Sequence, residues 1–344
     1  MNLTQRIKNY ALDIGYHAVG ITSSADFSDH VTEVTNRSES YDFYTLDPRC
    51  FLAGAQPKKM MPGAESIICM AWDYARISFP EALLGKIGRI YQARCYGPKP
   101  DRINGARYQL MIKYLEKLGA KTGKGFFIPE RRAAARAGIT TFGKNNFAYA
   151  KGCGSFIVLH SVVVDLPLEY DTPKMRVDCP ENCTACIDAC PTKAIEEPLK
   201  LNPRRCIGFN NWWTQKGRPP GITGVVPLDI REKIQTKVHG CDICQEACPK
   251  NHPRLQSKLP EDPFLEQISK KFSLSKMLLM NDGFYEQVVQ PIMYNYIQDK
   301  KYFQRNAAIA LGNLKNPEKI PDLKIAMEDP SPVVRGAAAW ALGR

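Results

Sequence analysis

The sequence predicts an α+β protein built from three successive parts. Three observations predict it: helical and strand-length apolar segments alternate through the first part, cysteines concentrate in the second, and two similar alanine-rich segments occur near the end. We therefore expect domains at residues 1–170, 171–255 and 256–344. A chain of 344 residues is long enough to bury the cores of two or three such domains.

The first part has the pattern of a mixed helix and sheet domain. Apolar residues from Leu3 to Ile14 recur at helical spacing. Apolar runs of strand length predict strands at residues 18–21, 66–72 and 156–164. A second helix is expected between Tyr108 and Gly119, where apolar residues again recur on one face.

Eight cysteines define the second part. They lie in the order CPENCTACIDACP, then a single Cys206, then CDICQEACP. A four-iron cluster needs four thiolates on tight loops, and in two-cluster ferredoxins the cysteine before proline binds the other cluster. This rule predicts two [4Fe-4S] clusters, which would be held by Cys179, Cys183, Cys186 and Cys248 in one case and by Cys190, Cys206, Cys241 and Cys244 in the other.

A pair of structural zinc sites is the alternative for these cysteines, because zinc also binds Cys-x-x-Cys steps. The two Cys-Pro endings and the order of the eight cysteines favour clusters, since zinc requires neither. The step from Cys179 to Cys183 is one residue longer than the usual bacterial spacing.

An internal repeat marks the third part. RNAAIALGNL begins at Arg305, and RGAAAWALGR begins at Arg335. This period predicts stacked helix pairs of the HEAT type, in which Arg305 and Arg335 would face a phosphate backbone. The alternative is a simple helical cap on the core, in which these arginines cap helices or pair with Glu328 and Asp329.

Charge and cysteine content predict the partner and the compartment. The net charge of +12 favours a polyanionic partner such as nucleic acid, although such charge also occurs on merely solvated surfaces. No segment has the apolar length of a signal peptide or a membrane span. Because clusters need reduced thiolates, we expect a cytoplasmic protein.

Taken together, these motifs resemble the epoxyqueuosine reductase family, whose members are cobalamin-dependent iron–sulfur enzymes related to reductive dehalogenases. The matching segments are ERRAAARAGITTFGKNN, GSFIVLHSVVVDLPLEYD, the two cysteine motifs, and the terminal RNAAIALGN and PVVRGAAAWALG. The resemblance covers nearly the whole chain from about Pro62 onward.

The resemblance implies a nitroreductase-like first domain that binds cobalamin against the clusters, and reduction of epoxyqueuosine to queuosine in tRNA. It also implies a reductant such as flavodoxin or ferredoxin, and we expect a monomer. The protein would position the corrin, exclude water and supply a proton. The segments that match the corrin-binding stretch contain Gly143, Lys144, Asn145, Gly154 and Ser155.

The chain departs from the family at two acidic positions. Ala106, Arg107 and Tyr108 replace an Asp-Tyr-His sequence, and GKGFFIPERR lacks the aspartate expected as the proton donor. Tyr108 could donate instead, with Arg107 lowering its pKa, as in reductive dehalogenases. The alternative places Tyr108 in the core, and Glu130 and Asp101 are the other candidate acids.

Three functions compete on this basis. The first is an epoxyqueuosine reductase acting on tRNA, which the basic charge and the arginine-bearing repeat favour. The second is a related cobalamin and iron–sulfur reductase of a different small molecule, which the missing aspartate favours. The third is a non-catalytic electron carrier or corrinoid reactivator, which would not need the large first domain.

Overall fold

The fold is known from a computed structural model, and it confirms a mixed helix and sheet protein. It describes residues 2–41, 52–96, 103–123, 128–212, 224–294 and 299–344. Its strands are β1 (Ala18–Ser23), β2 (Ser66–Asp73), β3 (Thr122–Gly123), β4 (Thr141–Phe142), β5 (Ala148–Tyr149), β6 (Ile157–Val164), β7 (Ile195–Glu197) and β8 (Lys200–Leu201).

The main sheet has the order β1-β2-β6-β3, and all of its neighbouring strands are antiparallel. β4 pairs with β5, and β7 pairs with β8. Successive side chains of a strand point to opposite faces. Ile68 and Met70 of β2 therefore pack into one core, while Ile67 and Cys69 pack into another.

Helices cover both faces of this sheet. Those of the first part span Leu3–Asp13, Ser28–Asn36, Ser38–Tyr41, Pro57–Met60, Arg89–Gln92, Ile103–Lys117 and Glu130–Arg136. Ile7 and Met111 close the core on the Ile68 face, and Ala133 and Ala134 close the other. Small alanines let the last of these helices lie close to the strands, which brings Glu130 to the sheet.

The remaining helices are short around the cysteines and longer toward the end. They span Ala185–Asp188, Ile207–Trp212, Leu228–Arg231, Ile243–Glu246, His252–Leu255, Pro263–Lys271, Leu274–Leu278, Asp282–Phe284, Lys301–Leu314, Ile320–Ala326 and Pro332–Leu342. Tyr285–Val289 forms a π-helical turn. No helix in the described ranges has the length and apolarity needed to cross a bilayer.

One large core joins distant parts of the chain. Leu83 and Ile87 of the first part are buried in the same apolar cluster as Ile230 and Val334. The segment around Leu83 thus packs with the C-terminal helices rather than with the sheet. The domain boundaries at 170 and 255 stay predictions, but this core crosses both of them.

Ion pairs also connect the first part to the cysteine-rich part. Arg89 donates to Glu246 at 2.6 Å and to Asp242 at 3.2 Å. Arg254 pairs with Asp73 at the end of β2, and the Asp73 side chain is almost fully buried. Because partly buried pairs hold their geometry better than surface pairs, these contacts fix the cluster loops against the sheet.

Candidate active site and cluster centres

The first predicted set of thiols lies together in space. Burial, followed by the charges of Cys248, Cys179 and then Cys183, raises the pKa of Cys186 to about 11. Three thiols from both cysteine motifs therefore lie close enough to Cys186 to act on it. This grouping supports the predicted ligand set, including Cys179 after its lengthened step.

The second predicted set also lies together. Burial, and then the charge of Cys206, raises the pKa of Cys241 to about 12. The charge of Cys190 acts on Cys206, while Cys241 and Cys206 act on Cys244. Within the described ranges, no three His, Cys, Asp or Glu side chains are close enough to hold a single metal ion. Thiolates around a four-iron cube lie farther apart, because each binds a different iron.

Lys144 and Asn145 contact the cluster loops, and their predicted role beside the corrin stays a prediction. Lys144 Nζ donates to three backbone carbonyls of residues 180–183, at 2.5, 3.0 and 3.1 Å. Asn145 Nδ2 donates to the carbonyl oxygen of Cys244 at 3.3 Å. Their polar groups are already used in tying both cysteine motifs to the first part.

The two predicted glycines lie in close contact with side chains of the protein itself. A Cβ at Gly143 would come within 2.3 Å of the Tyr149 ring, and a Cβ at Gly154 within 2.1 Å of Asn251 Oδ1. Gly154 also has φ +60°, which disfavours other residues. Of the five predicted cobalamin residues, Ser155 alone lines the cleft described next, within the described ranges.

A cleft of about 950 Å³ lies beside the sheet and the cluster loops. Its walls come from β6, the start of the Glu130–Arg136 helix, the β4–β5 hairpin and the turn before β8. Apolar side chains such as Ile157, Leu159 and Phe147 form much of the lining. The volume is at the upper end for small-molecule sites, so the cleft accommodates a large apolar ligand.

Glu130 is the predicted acid that lines this cleft. The residue lies at the start of its helix and is exposed at the cleft wall. Burial raises the pKa of Glu130 to about 8, against the lowering effects of Arg131 and of a hydrogen bond from the Ser161 amide. The carboxyl is therefore mostly protonated at neutral pH and is able to donate a proton.

Tyr108 is half-buried and packs against the core. Its ring lies 5.3 Å from the His160 ring, and its hydroxyl is 3.5 Å from the Ser161 carbonyl oxygen. Burial, and then the charge of Glu130, raises the pKa of Tyr108 to about 12. Within the described ranges Tyr108 is not part of the cleft lining.

The expectation that Arg107 lowers the pKa of Tyr108 is wrong. Arg107 Nε donates to the carbonyl oxygen of Ile14 at 3.1 Å, and its guanidinium lies 4.9 Å from the Trp72 ring centroid. Helical geometry places neighbouring side chains about 100° apart, so consecutive residues face different surroundings. Asp101 lies outside the described residues.

The structure also corrects the predicted role of Arg305. Its side chain is buried, with 2% of the residue exposed. The guanidinium donates to the carbonyl oxygens of Gly224 and of Asn210, and to Asn306 Oδ1. A group enclosed in this way has no access to a phosphate backbone.

Arg335 contacts the turn that precedes its own helix, through backbone carbonyls rather than through the carboxylates of Glu328 and Asp329. Its Nη1 donates to the carbonyl oxygens of Asp329 at 2.8 Å and Pro330 at 3.0 Å. These carbonyls precede the last helix, Pro332–Leu342. The guanidinium therefore stabilises the turn between repeat helices.

Several residues of the site escaped the sequence prediction. Tyr16 is hydrogen bonded to His160 Nδ1 at 2.6 Å, next to Tyr108. Tyr149 donates to the sulfur of Cys248 at 3.2 Å. The polar His160 inside the apolar run FIVLHSVVV was an available signal, whereas nothing in the sequence marks Tyr149.

Comparison with known protein families gives matches in the cysteine-rich part and in the C-terminal part of the chain. A family model described as a 4Fe-4S double cluster binding domain matches residues 179–251, which confirms the expected two-cluster domain. A model of HEAT repeats matches residues 293–344. Both matches agree with the fold predicted for these parts.

The similarity to individual proteins extends over nearly the full chain. An epoxyqueuosine reductase from Bacillus cereus is 31% identical over 99% of this chain and 89% of that protein. A solved epoxyqueuosine reductase from Bacillus subtilis, with a catalytic loop swung out of its active site, aligns with TM-score 0.80 and 28% identity over 99% and 90% of the two chains. A solved epoxyqueuosine reductase with an epoxyqueuosine-modified tRNA-Tyr stem loop aligns with TM-score 0.79 and 28% identity over 99% and 89%. The chain therefore belongs to the epoxyqueuosine reductase family.

Proposed function

We propose that this protein reduces epoxyqueuosine to queuosine in tRNA. Converting an epoxide to an alkene takes two electrons and two protons and releases water. The observation that carries the proposal is a cleft that combines a protonated carboxyl group with adjacent cluster loops. The family relatives that carry the same activity in their names support it.

Two [4Fe-4S] clusters supply the electrons one at a time. The protein holds both cysteine motifs against the first part through Lys144 and Asn145. Ser155 continues this contact, because its hydroxyl accepts hydrogen bonds from Gln245 Nε2 at 2.9 Å and Asn251 Nδ2 at 2.8 Å. Ser155 also lines the cleft, so one residue contacts both the cleft and the segment that carries the second cysteine motif.

Cobalamin is the cofactor that we propose for the cleft, where it would supply the metal-centred reducing chemistry. A corrin is broad, and its faces are apolar, which fits a cleft of about 950 Å³ with Ile157, Leu159 and Phe147 in its wall. Ser155 is the polar group at the cluster side. These residues would orient the ring and exclude water from it.

Glu130 is the proposed proton donor in place of the missing aspartate. It lies at the first turn of its helix and at the cleft wall, and burial keeps its carboxyl mostly protonated near neutrality. Proton transfer from the Glu130 carboxyl to the oxygen of the opening epoxide would supply one of the two protons, and a second proton taken from solvent would complete the water that leaves. A positioned acid of this kind typically contributes about 10²–10⁴-fold in rate.

The cleft rim is the proposed tRNA contact. Arg37, Arg131, Arg132 and Lys200 all line the cleft, and Arg131 is exposed. Cations around an opening attract phosphates and hold a single-stranded loop so that one base can enter. The rim, rather than Arg305, is the proposed phosphate contact, because Arg305 is buried.

The electron source, oligomeric state and compartment stay predictions. We propose flavodoxin or ferredoxin as the one-electron reductant and a monomer as the working form. A tRNA substrate and thiols that must be reduced to hold clusters suit the cytoplasm.

One anaerobic experiment tests the function. The protein is reconstituted with iron, sulfide and cobalamin, and conversion of epoxyqueuosine in a tRNA stem loop is measured by mass spectrometry. We expect about eight irons and one corrin per chain, with turnover to queuosine. Full cofactor loading without turnover of the stem loop would contradict the proposed substrate and favour the small-molecule reductase.

A further inference from the structure

Tyr149 makes a hydrogen bond to a cluster ligand. Its hydroxyl donates to the sulfur of Cys248 at 3.2 Å, and both residues are buried. The amide Nδ2 of Asn145 donates to the same phenol oxygen at 2.9 Å. Because the oxygen accepts from Asn145, its own proton is left to point at the sulfur.

The surroundings of Tyr149 fix the ring in this position. Gly143 lies so close that a Cβ there would come within 2.3 Å of the ring. The ammonium of Lys250 lies 5.5 Å from the ring centroid. Ser155 is a further hydrogen-bonding neighbour of the hydroxyl. The phenol therefore has little freedom to turn away from Cys248.

The second set of thiols has a different hydrogen-bond environment. The sulfur of Cys190 lies 3.5 Å from the Thr192 hydroxyl and accepts from the Ala194 amide at 3.3 Å. No tyrosine hydroxyl of the described residues contacts that sulfur in the same way. The two clusters are therefore unlike in the hydrogen bonds to their sulfurs, which is one of the factors that set reduction potentials.

We propose that the Tyr149 hydroxyl raises the reduction potential of the cluster that Cys248 holds and so makes it the electron acceptor next to the cleft. One-electron reduction adds a negative charge to the cluster and its thiolates. A hydrogen bond donated to a thiolate stabilises that added charge, so the reduced state gains more than the oxidised state. Tyr149 follows Ala148, which lines the cleft, so the residue that contacts Cys248 is next to the cleft wall.

The test is a redox titration of the reconstituted protein, followed by electron paramagnetic resonance, with wild type and Tyr149→Phe compared. The variant keeps the ring and removes the donor. We expect the equilibrium constant for one-electron reduction of one cluster to fall roughly tenfold, a shift of 59 mV to lower potential. The other cluster is expected to keep its potential. A Cys186→Ala variant, which retains only the second cluster, identifies the signals.

Two further variants complete the test. Thr192→Val is the matched control and should shift only the cluster held by Cys190. Gly143→Ala keeps the phenol but displaces its ring, and it should shift the same cluster as Tyr149→Phe. Unchanged potentials in Tyr149→Phe, or loss of that cluster in both Tyr149→Phe and Gly143→Ala, would overturn the proposal. The inference rests on the proposed ligand sets and not on turnover. If the reduction potential shifts in Tyr149→Phe while the wild-type protein fails to convert the stem loop, the proposed function is wrong but the role of Tyr149 stands.

Discussion

Lys144 Nζ lies 3.0 Å from the carbonyl oxygen of Cys183, so a side chain of the first part holds the backbone of a cluster loop. Its neighbour Asn145 does the same for Cys244 in the other motif. One short segment thus anchors both cysteine motifs. The cleft and the clusters are held in one arrangement because this segment also enters the cleft wall at Asn146 and Phe147.

Replacing Lys144 by Met should loosen the first cluster loop. Three charge-assisted hydrogen bonds are lost, each worth about 1.5–3 kcal/mol before solvent exposure reduces it. We expect faster release of about half of the iron to a chelator, with the fold intact by circular dichroism. Lys151→Met, at an exposed position nearby, is the control and should release iron at the wild-type rate.

Replacing Glu130 by Gln should abolish most of the turnover while leaving the cofactors bound. The loss of a positioned acid predicts a decrease of about 10²–10⁴-fold in kcat. Wild-type turnover should fall as pH rises through about 8, since the protonated carboxyl is the active form. Single-turnover rates measured between pH 6 and 9 check this, and an unchanged pH profile in Glu130→Gln would argue against the assignment.

The same substitution should change the pH dependence of stability. A carboxyl whose pKa is raised on folding binds its proton more tightly in the folded state than in the unfolded state. Wild-type stability should therefore decline as pH rises from about 4.5 to about 8. Thermal melting should show this decline weakened in Glu130→Gln; equal slopes for both proteins would contradict the raised pKa.

The two repeat arginines should differ in their effect on stability. Arg305→Ala removes the donor from three acceptors, two of them buried, and should cost about 3–5 kcal/mol in the free energy of unfolding. Arg335→Ala loses two partly exposed bonds and should cost about 1 kcal/mol. Denaturant titration measures both. A folded Arg305→Ala protein of wild-type stability with weakened tRNA binding would restore the phosphate-contact role.

Replacing Arg131 by Gln should weaken binding of the tRNA stem loop. Removing one phosphate contact reduces the slope of log affinity against log salt by about 0.7–0.9. Fluorescence anisotropy across a salt series measures this slope. Lys324→Gln, an exposed change on the C-terminal repeat, is the matched control. An equal effect of both substitutions would mean that the cleft rim has no special part in binding.

The sequence predicted elements whose signals are local. Strands β1, β2 and β6 lie within two residues of their expected bounds, because short apolar runs of that length are typical of buried strands. Cysteine spacing predicted the two-cluster domain, since the ligands must follow the geometry of a cube. These features depend only on near neighbours in the chain.

Features that depend on distant partners could not be predicted. Lys144 resembles a ligand-binding lysine until the loop that it holds is seen, and that loop lies 36 or more residues away. Arg305 looked solvent-exposed because arginine usually is, yet its acceptors come from Gly224 and Asn210. The sequence shows a side chain's chemistry but not which distant carbonyl will meet it.

The core that contains both Leu83 and Val334 also determines how late in synthesis the protein completes its folding. The apolar surface around Leu83 is fully covered only when the Pro332–Leu342 helix is available to pack on it, because Val334 lies in the same core. Cys241 packs against the same core, so the cluster loop that carries it also reaches its folded position late. Premature termination before Pro332 therefore yields a chain with uncovered apolar surface, the kind that chaperones retain and proteases remove.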